Sequence, residues 1–189
     1  MALRYALLGL LSKSPATGYE LNQQFKEKMI YFWHAHHTQI YRELAKMEVD
    51  NLVTSQIVKQ KEYPDKKIYT IQKKGMEELL HWLLEEPPKP PSIKNDFFLR
   101  VSIFHLIPYN EAIQLLEKSK ITYQNILEGT QMWREERFTN DGLPSKEQLG
   151  EYLTSAFGVR FAKNWIEWCD WAIDVLRRMK EKEERASTE

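Results

Sequence analysis

The run Pro87-Pro88-Lys89-Pro90-Pro91 constrains this chain more than any other stretch. Its prolines remove backbone donors and fix φ, so the run is a stiff extended spacer through which no helix can pass. Apolar residues recur with helical period on both sides of it. The 189 residues therefore read as a first domain over 1–86, a Pro-rich linker over 87–92 and a second domain over 93–189. Such a length is ample for a real core.

Composition then removes whole classes of function. The chain is 42% hydrophobic and 29% charged, which is globular rather than disordered. Its 27 basic and 27 acidic residues cancel, so a surface for nucleic acid has to come from local segregation of charge. A single cysteine, Cys169, excludes an intrachain disulfide and a multi-cysteine zinc site. No apolar run has the length of a membrane span, and the opening MALRYALLGLLSKSP is too short and too soon charged for a secretory signal. A cytoplasmic protein with no membrane partner is expected.

In the first domain, Leu3, Leu7, Leu10 and Leu11 mark a short helix, apolar on much of its surface, over Ala2 to Ser12. Ser14-Pro15 breaks it. Thr17-Gly18-Tyr19-Glu20 has the form of a capping box and opens a second helix, with Leu21 and Phe25 facing inward, to about Met29. A third helix is read from Trp33 to Asn51, because Ile40, Leu44 and Met47 recur at i, i+4 and i+7. Asn51 tolerates the left-handed conformation a helix end commonly needs. Leu52 to Gln60 and Lys67 to Ile71, separated by a Pro-Asp turn, read as a β-hairpin. Three helices and a hairpin make the winged helix-turn-helix arrangement.

The third helix carries Thr38, Gln39, Arg42 and Lys46 opposite its apolar stripe. A hydroxyl, an amide, a guanidinium and an ammonium on one face can read base edges and phosphates in a major groove. Any amphipathic surface helix also has a polar face, and Glu43, Glu48 and Asp50 argue against a simple cationic rod. The hairpin and its flanks, Thr54 to Lys74, hold six lysines against Glu62 and Asp65. They suit a phosphate clamp, or they protect an edge strand.

The run LLGLLSKSPATGYEL resembles the opening of the PadR family of winged-helix transcriptional regulators. TQIYRELAKMEVDNLV, KKIYTIQKKGMEELLHWL and, after the linker, IKNDFFLRVSIF extend the match. The family usually has glycine where Asn51 stands, a departure that the left-handed argument makes harmless. The resemblance implies that the third helix is the recognition helix and that the wing flanks it on the phosphates. The last motif and the proline linker resemble the branch of phenolic-acid-responsive repressors, which implies a small aromatic acid as effector. Residue chemistry gives the finer roles. Arg42 suits guanine and Gln39 adenine, with Thr38 and His37 beside them, while Lys46, Lys66 and Lys67 suit phosphate. Tyr19 and Tyr41 can donate to phosphate oxygens, or their rings can simply pack. His34, His36 and His37 invite a metal, but no carboxylate or cysteine is placed to complete a site, so neither metal nor cofactor is expected.

Lys74 to Glu86 reads as a fourth helix. In the second domain, Ser92 is read as the cap of a fifth helix running to about Ile107, and Glu111 to Phe138 as a sixth. Ser145 opens a last helix to about Lys182, about 57 Å long if unbroken at Gly158. The apolar stripes of the two long helices call for a partner, and a second copy is the economical one. Trp165, Trp168, Cys169, Ala172, Ile173 and Leu176 are assigned to that dimer interface; the tryptophan stripe otherwise reads as core or as the wall of an effector pocket. Arg100, His105, Trp133 and Arg134 are the effector candidates. Cys169 reads as a small buried filler rather than a redox switch.

The expected fold is mainly α with a small β-hairpin wing: an N-terminal winged helix-turn-helix domain followed by a C-terminal helical dimerisation domain. The expected function is a homodimeric repressor that binds double-stranded DNA at an inverted repeat and is released by a small aromatic acid. A winged-helix module used only for protein association is the alternative. An enzyme has little support, since no phosphate-loop glycine pattern, nucleophile elbow or paired metal motif is present.

Overall fold

The computed structural model describes residues 2–29, 35–60, 65–87, 95–138 and 143–186. The chain divides into two compact units, Met1–Pro91 and Ser92–Glu189. The connection at Tyr31 to His34, the tip of the hairpin and most of the proline run lie outside the described residues.

The first unit is built on helices α1 (Ala2–Leu11), α2 (Gly18–Met29), α3 (His37–Val49) and α4 (Lys73–Leu84). Leu7, Leu8, Leu11, Leu21, Phe25, Ile40, Leu44 and Met47 bury almost completely together. Each such aliphatic side chain contributes about 1.5–3 kcal/mol relative to exposure. The capping box forms as the sequence predicts: the Thr17 amide donates to the Glu20 carboxylate at 2.7 Å, and the Glu20 amide to the Thr17 hydroxyl at 3.2 Å.

The third helix is shorter at its start than its sequence suggests. Ala35 and His36 are not helical, and His36 is an extended cap whose amide donates to the Gln39 side-chain oxygen at 3.0 Å. The other end falls where Asn51 predicts. Asn51 has φ 60°, the Leu52 amide donates to the Met47 carbonyl at 2.8 Å, and the Asn51 amide to the Glu48 carbonyl at 3.1 Å. That pair of bonds is a Schellman closure.

The hairpin strands are β2 (Val53–Val58) and β3 (Lys66–Ile71), paired antiparallel with Ser55 opposite Tyr69 and Ile57 opposite Lys67. A strand that the sequence did not announce, β1 (Ala16–Thr17), pairs with the other edge of β3. Two residues are too few to show a period, and the same residues already read as a helix cap. Gly75 on α4 sits against the Leu52 carbonyl, where a Cβ would collide, so α4 approaches the end of α3 closely.

The second unit contains α5 (Asp96–Val101), a 3₁₀ turn (Phe104–Leu106), α6 (Tyr109–Arg137) and α7 (Leu149–Ala186). Ser92 lies outside the described residues; from Asn95 on, the single fifth helix expected to Ile107 is instead a six-residue helix and a separate turn. Its cap is Asn95, whose side-chain oxygen accepts from the Phe97 amide at 2.9 Å. α6 and α7 run antiparallel, held by Lys120 to Asp170 at 2.6 Å and by Arg137 to Glu151 at 3.0 Å. α7 begins at Leu149 rather than Ser145, and its 38 residues continue through Gly158 without a break.

The interface assignment on α7 needs correction at three of its six residues. Trp165, Cys169 and Ile173 are buried within the chain, in a core with Leu116. Trp168, Ala172 and Leu176 pack at its margin. Trp165 stacks on Tyr123 at 4.4 Å and donates its indole N–H to Ser119 at 3.0 Å. Beyond Leu149 in its first turn, the large apolar residues that α7 leaves exposed lie on a neighbouring face: Leu153, Phe157, Phe161, Trp171 and Met179. Helical spacing alone cannot tell which of two adjacent apolar stripes the chain itself will cover.

Candidate nucleic-acid interface

With Ile40, Leu44 and Met47 fixed in the core, the 3.6-residue period turns Thr38, Gln39, Arg42 and Lys46 outward, while His37, three residues before Ile40, is on the inner side but opens the helix; all five are exposed. Arg42 and Lys46 have no ion-pair partner among the described residues, so both cations are available to a ligand. Gln39 differs, because its side-chain oxygen holds the helix cap through His36. A bidentate contact to adenine needs that oxygen as well as the NH₂ group, so base reading and capping compete.

Tyr19, 66% exposed, stands on the first turn of α2. The Tyr41 ring lies against Gly18, where a Cβ would strike it. The Tyr41 ring therefore packs on Gly18, and the residue stays 46% exposed. With Tyr69, Lys66 and Lys67 these tyrosines wall an open cleft of about 1050 Å³.

The wing lysines do not act alike. Strand period puts Lys66 and Lys67 on opposite faces. Lys66 is exposed. Lys67 shares the inner face with Tyr69, donates to the Glu48 carboxylate at 2.8 Å and lies 5.2 Å from the Tyr69 ring centroid. Lys74 belongs to α4 and donates to the Asp50 carbonyl at 2.8 Å, closing the end of α3. The cationic surface of the wing is therefore narrower than a count of lysines suggests.

Two partnerships, those of Arg4 and Glu48, are not legible in the sequence. Arg4 is a hub: it donates to Glu43 at 3.0 Å and Asp50 at 2.7 Å on or just beyond α3, and to Glu78 of α4 at 3.5 Å. Glu48 accepts from Ser55 at 2.5 Å as well as from Lys67. The Lys67 bond first, then Ser55, holds the Glu48 carboxyl below its ordinary range. Only the excess of carboxylates on a supposed cationic helix signalled these partnerships.

The effector candidates do not converge. Arg100 pairs with Asp96 at 2.8 Å, one turn away on α5. His105 lies in the 3₁₀ turn, lining an open cavity of about 950 Å³ with Phe104, Ile107, Leu176 and Met179. Trp133 and Arg134 sit near the far end of α6, about 36 Å along the helix from Tyr109. Trp133 meets Phe138 edge to face at 5.7 Å. Arg134 donates to the Tyr152 carbonyl at 2.7 Å and to the Ser155 hydroxyl, with its guanidinium 4.7 Å from the Tyr152 ring. That guanidinium already joins α6 to α7. Among the described residues no three His, Cys, Asp or Glu side chains gather as a metal site, and His34 lies outside them. No described helix is long and apolar enough to cross a membrane.

A polar third helix held outward by its own core stripe, beside a three-stranded wing, defines a winged helix-turn-helix protein. Residues 7–81 match the Transcriptional regulator PadR-like family, and residues 93–177 match the Virulence activator alpha C-term family. The chain is 32% identical to the negative transcriptional regulator PadR of Bacillus subtilis, covering 92% of this chain and 97% of that one. It belongs to the PadR-like family of transcriptional regulators. Its fold superposes on B. subtilis PadR in complex with operator DNA with a TM-score of 0.83, at 30% identity over 93% of this chain and 99% of that one. For B. subtilis PadR in complex with p-coumaric acid the TM-score is 0.77, at 29% identity over 94% and 99% of the two chains.

Proposed function

We propose that this regulator acts in the cytoplasm as a homodimeric repressor, by binding and not by catalysis. In this reading α3 enters the major groove, Arg42 and Thr38 meet base edges, and Lys46, Lys66 and Tyr19 meet phosphates. The observation that carries it is the exposure of Thr38, Arg42 and Lys46 on the helix whose inner stripe Ile40, Leu44 and Met47 is buried. The relative solved with operator DNA supports the same use of the fold.

The exposed stripe Leu153, Phe157, Phe161 and Trp171 on α7 supports pairing with a second copy. Two-fold symmetry then asks for an inverted repeat with half-sites about 34–36 Å apart, or a multiple of that. A small aromatic acid, by analogy with the p-coumaric acid complex, would release the DNA only to the extent that it prefers the dimer state with the wrong spacing.

The test is selection of duplexes from a random-sequence pool, followed by titration across salt concentrations with and without phenolic acids. An operator reader enriches a two-fold-symmetric sequence and loses affinity steeply with salt, with a slope near −0.9 per phosphate neutralised. Enrichment of no sequence and no salt dependence would overturn the reading and leave a protein-association module.

A further inference from the structure

A carboxylate near a DNA-facing surface repels the phosphates it approaches, yet Glu48 stands on the last turn of α3 beside the wing. Its partners explain the position. Ser55 comes from β2 and Lys67 from β3, at 2.5 Å and 2.8 Å from the two Glu48 oxygens. Both lie on the strand face that carries the buried residues Val53 and Tyr69. One side chain of the recognition helix thus holds both strands of the wing, and it occupies the ammonium that would otherwise seek a phosphate.

We infer that Glu48 is a positioning residue for specificity: by holding Lys67 and Ser55 it fixes the distance between recognition helix and wing, at the expense of one phosphate contact. This inference rests on the operator reading above and adds to it a residue that touches no DNA. An operator fits only when helix and wing address groove and phosphates together, whereas random duplex accepts any spacing. Breaking the pair therefore lowers the preference for operator even as it frees a cation.

The experiment uses the full chain, with a duplex selected by the wild type and a random duplex of equal length. In Glu48→Gln the operator-to-random ratio falls by up to about fivefold, the upper end for a partly exposed pair. Total binding becomes more salt-dependent, by about 0.9 in slope for each Lys67 released. Glu48→Lys and Lys67→Glu change net charge in opposite directions, yet both lower the ratio. The double variant Glu48→Lys/Lys67→Glu restores it, together with the wild-type net charge. Simple electrostatic attraction cannot give that pattern, because it would move the two single variants apart.

An unchanged ratio in Glu48→Gln, with both duplexes bound more tightly by one factor, overturns the inference and makes Glu48 a repulsive charge only. Single variants that lose specificity without recovery in the double variant overturn it as well. If the wild type enriches no duplex, the operator reading fails first and the inference falls with it. Urea midpoints of each variant separate a lost spacing from a lost fold.

Discussion

The Arg4 guanidinium on α1 and the Asp50 carboxylate that follows α3 lie 2.7 Å apart. The same guanidinium spreads its other nitrogens to Glu43 and Glu78, so three carboxylates converge on one cation. Removing that cation leaves them facing one another. Arg4→Met is therefore expected to lower stability by about 1–3 kcal/mol, the range for stranding charged hydrogen-bonding groups. Arg4→Lys should recover only part of this, since one ammonium cannot reproduce a planar fork. Urea unfolding of the three proteins measures it, and a wild-type midpoint for Arg4→Met would remove this residue from the forces that seat α3.

Asn51 provides a second test, at the backbone. Its φ of 60° lies where a Cβ is disfavoured and glycine is not. Asn51→Ala is expected to cost about 1 kcal/mol, within the range for left-handed L-residues. Asn51→Gly should be neutral or slightly stabilising in the same measurement. Equal losses in both variants would mean that the Asn51 side chain, and not its backbone, closes the helix.

These two residues also mark what could be read in the sequence. Asn51 was legible because a helix end is a local event: an apolar stripe stops, a residue that tolerates positive φ follows, and a β-branched run begins. The Thr17/Glu20 box and the inner stripe of α3 were legible for the same reason. Arg4 was not, for its partners lie 39, 46 and 74 residues away, and no period connects them. The tryptophans of α7 were half legible. Their spacing showed a common face, but whether Leu116 of the same chain or a second copy covers it depends on how α6 lies against α7. Charge counted along the hairpin assigns Lys67 to phosphate. The alternation of strand faces, already present in the sequence, separates it from Lys66.

Acid should weaken the first unit through two carboxylates. Glu20 is held below its ordinary value of 4.5 by the Thr17 amide first, then by the Thr17 hydroxyl and the Lys66 charge. Glu48 is held below the same value by Lys67 first and then Ser55. A carboxyl whose folded pKa is lowered stabilises fully above its unfolded value, and that stabilisation is lost as pH falls through the folded one. The affected window therefore lies below about pH 4.5. The double variant Glu20→Gln/Glu48→Gln should be less stable than wild type at neutral pH and should converge with it in acid. A constant gap between their urea midpoints across that window would show that neither ionisation matters to the fold.

Arg42 and Lys46 lie one turn apart on the outward face of α3 and offer different chemistry to a duplex. A guanidinium can bond the O6 and N7 of one guanine together, so its contribution depends on which base it meets. An ammonium on a phosphate gives affinity without sequence information. Arg42→Ala is expected to lose about 1–3 kcal/mol on the selected duplex, with a much smaller loss on random duplex. Its selected sequences should relax at one position in each half-site. Lys46→Ala is expected to weaken both duplexes by a similar factor and to flatten the salt slope by about 0.9 per protomer. Titration of both variants on both duplexes at two salt concentrations separates the roles. An unchanged preference in Arg42→Ala would remove Arg42 from the base-reading residues, and an unchanged slope in Lys46→Ala would remove Lys46 from the phosphate contacts.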